Sequence, residues 1–384
     1  MDDKDYLTNK AFCPVPWTGL MYNFDGNIKT CIRSSDIIGN IQDNTIVDIL
    51  VGEKNTETQS RMLNKQPGNR CNPCYELETH TNSFNIISDR IFYLKELKTV
   101  NKELYDTVGN FNLQTIDVRW SNQCNFACIY CGPEFSSKWS NELNIVHTVP
   151  SDEQRTNFKN YIFENASQLK HVYLAGGEPL LMKENLELLQ LLKEVNPLVN
   201  LRINTNLSKV DTKIFNLICT FPNVHWIVSV ESIEEEFEYI RYGGKWKDFL
   251  ENLLIIKQLD HKISFNMLHF LLNYNSLFGC IEFLQQLGFH PNSFIIGALL
   301  QPDFLDIRHL PNKMLVTVQQ TIQHWLDKKY GFLLDNGLNN VLSYIKNPIN
   351  ADINNCLLEI DQIDKRRNIN SKVVFTEFYD RISQ

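Results

Sequence analysis

From residue 113 onward, short apolar runs alternate with longer stretches of helical period. Leu113–Trp120, His171–Ala175, Asn200–Asn204, Val224–Val230, Lys262–Leu268 and Phe294–Ala298 read as six strands. Helical stretches lie between them, for instance Leu186–Val195 and Trp246–Leu259, with apolar positions recurring every three or four residues. Regular βα alternation dictates a parallel sheet with right-handed crossovers, and so an α/β class. Reactive residues then belong on loops at the carboxyl ends of the strands. Pro302 and Pro311 mark the exit from this region, and from Pro311 to Gln384 the pattern is helical, predicting a C-terminal cap.

The first eighty residues are patterned differently. Leu20–Phe24 and Asn27–Ile32 flank Asp25-Gly26, a strong hairpin signal. Gly39–Ile41 reads as a turn and short strand, and Ile46–Leu50 and Gln59–Leu63 as brief helices. Over 83–107, Phe84, Ile87, Ile91, Leu94 and Leu97 share one stripe, which predicts a helical connector. The expected organisation is a small module over 1–82, a connector over 83–110, an α/β domain over 111–310 and the cap over 311–384.

Composition changes this picture little. At 384 residues, 43% of them hydrophobic, the chain can bury one large core and a smaller one. A formal charge of −8 argues against broad binding to a phosphate backbone, and hence against nucleic acid as a partner. Lys365-Arg366-Arg367 is the one compact basic run and reads as a solvated helix end. Charge at Asp2, Asp3, Lys4 and Asp5 falls where a signal peptide needs an apolar run, and no stretch approaches membrane-spanning length. The expectation is a cytoplasmic protein with no membrane partner.

Seven of the ten cysteines fall into two sets; Cys219, Cys280 and Cys356 sit in apolar helical settings as inert thiols. Cys124, Cys128 and Cys131 form a C-x3-C-x2-C run with Tyr130 before the last thiol. Three thiolates can hold three irons of a cubane and leave the fourth open to a ligand. Taken alone, the run also fits a zinc half-site, although zinc wants a fourth ligand. Further on, the apolar run His171–Ala175 ends in Gly176-Gly177-Glu178-Pro179. Paired glycines admit a ligand close to the backbone, and the carboxylate can accept from an ammonium. By itself this is a Gly-Gly turn after a strand.

The two motifs in this order resemble the radical S-adenosylmethionine (SAM) superfamily. The resemblance implies a partial (β/α)6 TIM-like barrel, a SAM-binding 4Fe–4S cluster on Cys124, Cys128 and Cys131, and contacts of Gly176, Gly177 and Glu178 with the methionine amino group. It implies further SAM contacts from strand ends. Tyr130 would pack near the adenine, with core filling as its alternative role. Asn206, in Asn204-Thr205-Asn206, resembles a Thr-Asn-Gly element with Leu207 in place of glycine; a turn or N-cap role is equally open. Ser229 and Glu231 resemble an element near the ribose and carboxylate, and Arg241 could fork onto the SAM carboxylate.

Cys13, Cys31, Cys71 and Cys74 supply four soft ligands around the hairpin. Their chemistry suits tetrahedral zinc or a fully ligated cluster equally. The pattern C…G-x4-C…C-x2-C resembles the twitch (half-SPASM) domain, which implies an auxiliary 4Fe–4S cluster, here at the N-terminus although it follows the barrel in most relatives. The cofactor expectation is therefore two 4Fe–4S clusters and SAM, with flavodoxin or ferredoxin as electron donor. The activity implied is a 5′-deoxyadenosyl radical used for hydrogen abstraction and net oxidation. Peptide maturases of the family usually place a winged-helix module at the N-terminus, where this chain has cysteines. A small metabolite such as a sugar or cyclitol is therefore expected ahead of a peptide. A non-catalytic Fe–S or zinc protein is the alternative of another class.

Overall fold

A computed structural model of the chain describes residues 6, 8–34, 36–79, 88–96 and 102–383. It divides into two compact units. The first gathers Met1–Gln123, Val146–Ile203 and Asp211–Val224; the second gathers Cys124–Ile145, Asn204–Val210 and His225–Gln384.

In the first unit, β1 (Gly19–Tyr22) and β2 (Asn27–Lys29) form the expected antiparallel hairpin, with β3 (Gly39–Asn40) antiparallel to β2. Gly26 closes the turn at φ +88°, donating from its N–H to the Asn23 carbonyl at 2.8 Å. β1 then runs parallel to β4 (Thr115–Val118), in register from Gly19 opposite Thr115 to Tyr22 opposite Val118. Parallel pairing continues to β5 (His171–Leu174) and β6 (Asn200–Thr205), so the N-terminal hairpin extends the same sheet. A hydrophobic pattern cannot announce such a pairing, because β1 is buried along its whole length and either neighbour would satisfy it. β5 is largely buried too, as strands covered on both faces must be. The helix Lys183–Val195 buries Leu188, Leu189 and Leu192, its stripe of helical period. The helix Asp152–Glu164 starts at Ser151 with a reciprocal capping box to Gln154.

In the second unit, β7 (Val224–Ser229), β8 (Lys262–His269) and β9 (Phe294–Ala298) are parallel. Glu234–Ile240 and Trp246–Lys257 separate β7 from β8, and Ser276–Gln286 separates β8 from β9. The chain thus has the α/β class and the six successive strand–helix repeats, β4 to β9, of a partial (β/α)6 barrel. Its C-terminal region is helical: Asn312–Asp327, Phe332–Ile345, Ile353–Arg367 and two shorter helices.

Several local expectations need correction. The second N-terminal helix begins at Glu53 rather than Gln59, because Gly52 supplies an extended N-cap. Of the connector stripe, Leu94 is buried in the helix Asp89–Glu96, while Phe84, Ile87 and Leu97 lie outside the described residues. The basic run at the end of Ile353–Arg367 is not a solvated end. Lys365 is exposed, but the Arg367 side chain is only 1% accessible. Among the described residues, no helix is long and apolar enough to cross a membrane.

Candidate functional site

The second unit holds the loop of Cys124, Cys128 and Cys131 between two supports. On one side is the start of the helix Ser137–Leu143. Ser137 Oγ accepts from Cys124 N–H at 3.1 Å, Ser136 Oγ donates to Phe126 O at 2.6 Å, and Trp139 Nε1 donates to Cys128 O at 2.7 Å. On the other side, Ala127 N–H donates to Tyr242 O and Ile129 N–H to Ile240 O, both at 2.8 Å. Gly243 makes this approach possible: it sits at φ +103°, and a Cβ there would lie 2.9 Å from Asn125 O and 2.2 Å from Lys138 Nζ.

The sulfurs have donors of their own. Phe126 N–H and Asn206 Nδ2 lie 3.5 and 3.8 Å from Cys124 Sγ, and Arg241 Nη1 lies 3.8 Å from Cys128 Sγ. Burial raises the pKa of Cys128, opposed by the Arg241 cation and, less strongly, by Arg367. Burial likewise pushes Cys131 up.

Arg241 is expected to fork onto a ligand carboxylate, and in this structure its fork is occupied within the chain. Its Nε and Nη2 each sit 2.8 Å from a carboxylate oxygen of Glu231, and Nη2 also donates to Tyr130 Oη at 2.6 Å. Tyr130 Oη donates in turn to Glu231 at 2.9 Å. Arg241 and Glu231 are both buried, and burial raises the Glu231 pKa against the opposing pull of the guanidinium. Three expected SAM contacts therefore form one internal network whose remaining Nη1 edge faces a cysteine. Ser229 ends β7 and is half-buried. Asn206 Nδ2 also reaches Asn125 Oδ1 at 3.1 Å, while buried Asn204 Oδ1 has no partner among the described residues. Leu207 takes φ +56°, the left-handed conformation suited to the glycine it stands for, and is buried.

In the first unit, β5 delivers Gly176-Gly177-Glu178. Gly176 sits at φ +109°, and a Cβ on Gly177 would lie 2.1 Å from Gln123 O. Glu178 N–H donates to that same carbonyl at 2.7 Å. Glu178 is wholly buried, and one of its carboxylate oxygens caps the turn Pro179–Leu181 by accepting from Leu180 N–H at 3.1 Å. Both glycines thus have a packing reason within the unit itself.

The first unit also brings Cys13, Cys31, Cys71 and Cys74 around one cavity, with Tyr93 and Arg90 in its wall. All four thiols are free of disulfides. Burial and mutual repulsion raise Cys13 well above the ordinary thiol range, Cys31 to about 12 and Cys71 to about 11. Arginines stand close by: Arg33 pairs with Asp89 at 2.7 Å, and Arg90 pairs with Glu78 and donates to Phe12 O at 3.0 Å. Among the described residues, no three potential ligands close to the spacing that one metal ion demands; the thiols border a cavity instead.

Family comparison draws on both cysteine sets. The model of the radical SAM superfamily matches residues 118–284, and that of the SPASM iron–sulfur cluster-binding domain matches residues 13–75. The chain carries a radical SAM domain. The SPASM match lies at its N-terminal side, where the cysteine pattern placed it. The chain is similar to GTP 3′,8-cyclase of Campylobacter lari, 27% identical over 27% of this chain and 30% of that protein. It is also similar to 7-carboxy-7-deazaguanine synthase of Clostridium acetobutylicum, 36% identical over 22% of this chain and 33% of that protein. The aligned part thus spans about a third of those relatives' length. Among solved structures, SuiB of Streptococcus suis bound to precursor peptide SuiA aligns at 12% identity over 72% of this chain and 64% of that one, with a TM-score of 0.42.

A radical SAM domain binds SAM and a 4Fe–4S cluster, and a SPASM domain binds a further cluster. The donor sets fit. Three thiols on a loop braced from both sides suit a cluster with one open iron, and four thiols around a single cavity suit a closed one. Sequence reasoning missed the braces of the cysteine loop: Lys138, Trp139, Tyr242, Gly243 and Arg367. The basic run is a sequence trace of Arg367 alone, and a charge run at a helix end reads as solvated.

Proposed function

We propose that this radical SAM enzyme carries out the net oxidation of a small polar metabolite, such as a sugar or cyclitol. The observation that carries the reading is the convergence of Cys13, Cys31, Cys71 and Cys74 on one cavity in the first unit. Four thiolates leave no open iron, so the cluster they would hold supplies electron transfer rather than a binding site for substrate. Cys124, Cys128 and Cys131 would hold the SAM-binding cluster, with Gly176, Gly177 and Glu178 toward the methionine end of SAM. Asn206, Ser229, Tyr130, Glu231 and Arg241 would shape the remainder. Together, the bound cluster and SAM supply a 5′-deoxyadenosyl radical, which abstracts hydrogen from an unactivated carbon. The residues of this chain orient the substrate carbon and exclude water. Flavodoxin or ferredoxin serves as the electron donor.

The names of the two relatives, GTP 3′,8-cyclase and 7-carboxy-7-deazaguanine synthase, support a small molecule over a peptide. The test incubates anaerobically reconstituted protein with SAM and dithionite against a panel of cyclitols, sugars and short peptides. Deoxyadenosine formed with a product two hydrogens lighter from a sugar or cyclitol supports the reading. Deoxyadenosine coupled only to peptide modification overturns the substrate class, and its complete absence with both clusters present overturns the activity.

A further inference from the structure

Arg367, the last residue of the helix Ile353–Arg367, is buried beside the cysteine loop. Its guanidinium lies over the Trp139 ring at 4.3 Å and over the Tyr242 ring at 4.5 Å. Both residues grip the loop, Trp139 through Cys128 O and Tyr242 through Ala127 N–H, beside Ser136, Ser137 and Ile240. One edge of the guanidinium is satisfied, since Nε faces the Glu142 carboxylate at 3.0 and 3.2 Å. Nη1 and Nη2 are buried without a partner among the described residues. Two unmatched nitrogens on a buried cation are costly. Burial lowers the Arg367 pKa even with Glu142 beside it, consistent with a cation short of negative charge. Glu142 is also shared, because Arg366 Nε reaches it at 2.7 Å. Lys138, with Nζ 4.9 Å from the centre of the Tyr242 ring, adds a further positive charge.

We propose that Arg367 tunes the radical SAM cluster: a fixed cation, delivered by the C-terminal region and packed on two rings that hold the loop of Cys124, Cys128 and Cys131, it raises the reduction potential of the cluster those thiolates would hold. The assignment rests on the cluster placement given above. Its physical basis is electrostatic. A cluster ligated by three thiolates gains one negative charge on reduction, and a neighbouring cation stabilises the reduced form more than the oxidised one. Trp139 and Tyr242 shield the guanidinium from water, which strengthens its field. Net charge and hydrogen bonding around the sulfurs set the potential of such clusters. Arg241, with Nη1 3.8 Å from Cys128 Sγ, adds a second cation whose charge is offset by Glu231.

The experiment is a redox titration followed by electron paramagnetic resonance on reconstituted full-length protein. It tracks the reduced-cluster signal that disappears when Cys124, Cys128 and Cys131 are all replaced by Ala. Arg367→Gln should move that midpoint to more negative potential, roughly tenfold in the reduction equilibrium or about 59 mV for one electron. Arg367→Lys should restore most of it, and the second cluster's signal should stay in place. If Arg367→Gln fails to retain iron, Glu142→Gln provides the opposite perturbation. It removes the carboxylate from the cation and should shift the midpoint positive. Unmoved midpoints in iron-replete variants, or equal shifts of both clusters, overturn the assignment. Absence of the triad-dependent signal in the unaltered protein would sink the cluster placement itself, a separate failure.

Discussion

The Glu178 carboxylate has a structural task, capping Leu180 N–H at 3.1 Å, besides its proposed contact with SAM. Substitution can part the two. Glu178→Gln keeps a side-chain acceptor for the cap and removes the charge that would meet an ammonium. Its SAM affinity, measured by calorimetry, should fall about ten- to hundredfold, as expected for losing a charge-assisted bond of roughly 1.5–3 kcal/mol. Normal SAM binding with both clusters loaded would leave Glu178 as a cap alone. His269 gives a second residue-scale prediction. It is wholly buried at the end of β8, accepts no solvent contact, and burial lowers its pKa from 6.5 to about 4. Between those values the unfolded chain takes up a proton that the folded chain refuses. Stability is therefore lost as pH falls from 6.5 toward 4, by at most roughly 3 kcal/mol. Melting curves across that window should be steeper in pH for the native chain than for His269→Asn, and equal slopes would refute the assignment.

At the scale of elements, the glycine-dependent approach at Gly243 behaves unlike an ordinary helical glycine. Gly243→Ala places a methyl 2.9 Å from Asn125 O at φ +103°, so the segment that holds Ala127 and Ile129 must retreat. The expected outcome is loss of the triad's iron, from about eight irons per chain to about four, with little change in the content of the first unit. Gly279→Ala, in the helix Ser276–Gln286, has nothing within 4 Å of the new methyl. It should stabilise the protein by about 0.5–1 kcal/mol through helix propensity, read as a higher melting point with iron unchanged. The helices and strands themselves were legible, because β5 and β7 bury their apolar runs and the helix Lys183–Val195 buries the stripe its period picks out. The pairing of β1 with β4 was not, since burial along a strand's whole length identifies the strand without its neighbour.

For the molecule as a whole, the division of labour between cysteine sets gives the broadest prediction. Replacing Cys124, Cys128 and Cys131 together by Ala should leave about four of about eight irons, and zinc in place of the second cluster would refute the closed four-thiol site. Cys74→Ala should leave deoxyadenosine formation with dithionite intact while oxidised product collapses. Product at the native ratio would make the second cluster structural; loss of both activities in protein with a lowered melting point would point to misfolding.

The sequence alone picks out the cysteine sets and the Gly-Gly-Glu motif as candidates, because cluster and cofactor ligation demand particular side chains at short, local spacings. The α/β class followed equally from local periodicity. What surrounds the ligands was decided only in three dimensions. Arg241 looked like a clamp for a ligand, yet its fork is taken by Glu231, ten positions away in sequence but within 2.8 Å in the fold. Arg367 looked like a solvated helix end, yet packing lays it on Trp139 and Tyr242 and against Glu142, all more than a hundred residues distant. A charged side chain's partner depends on which elements the core brings together, and no spacing along the chain records that.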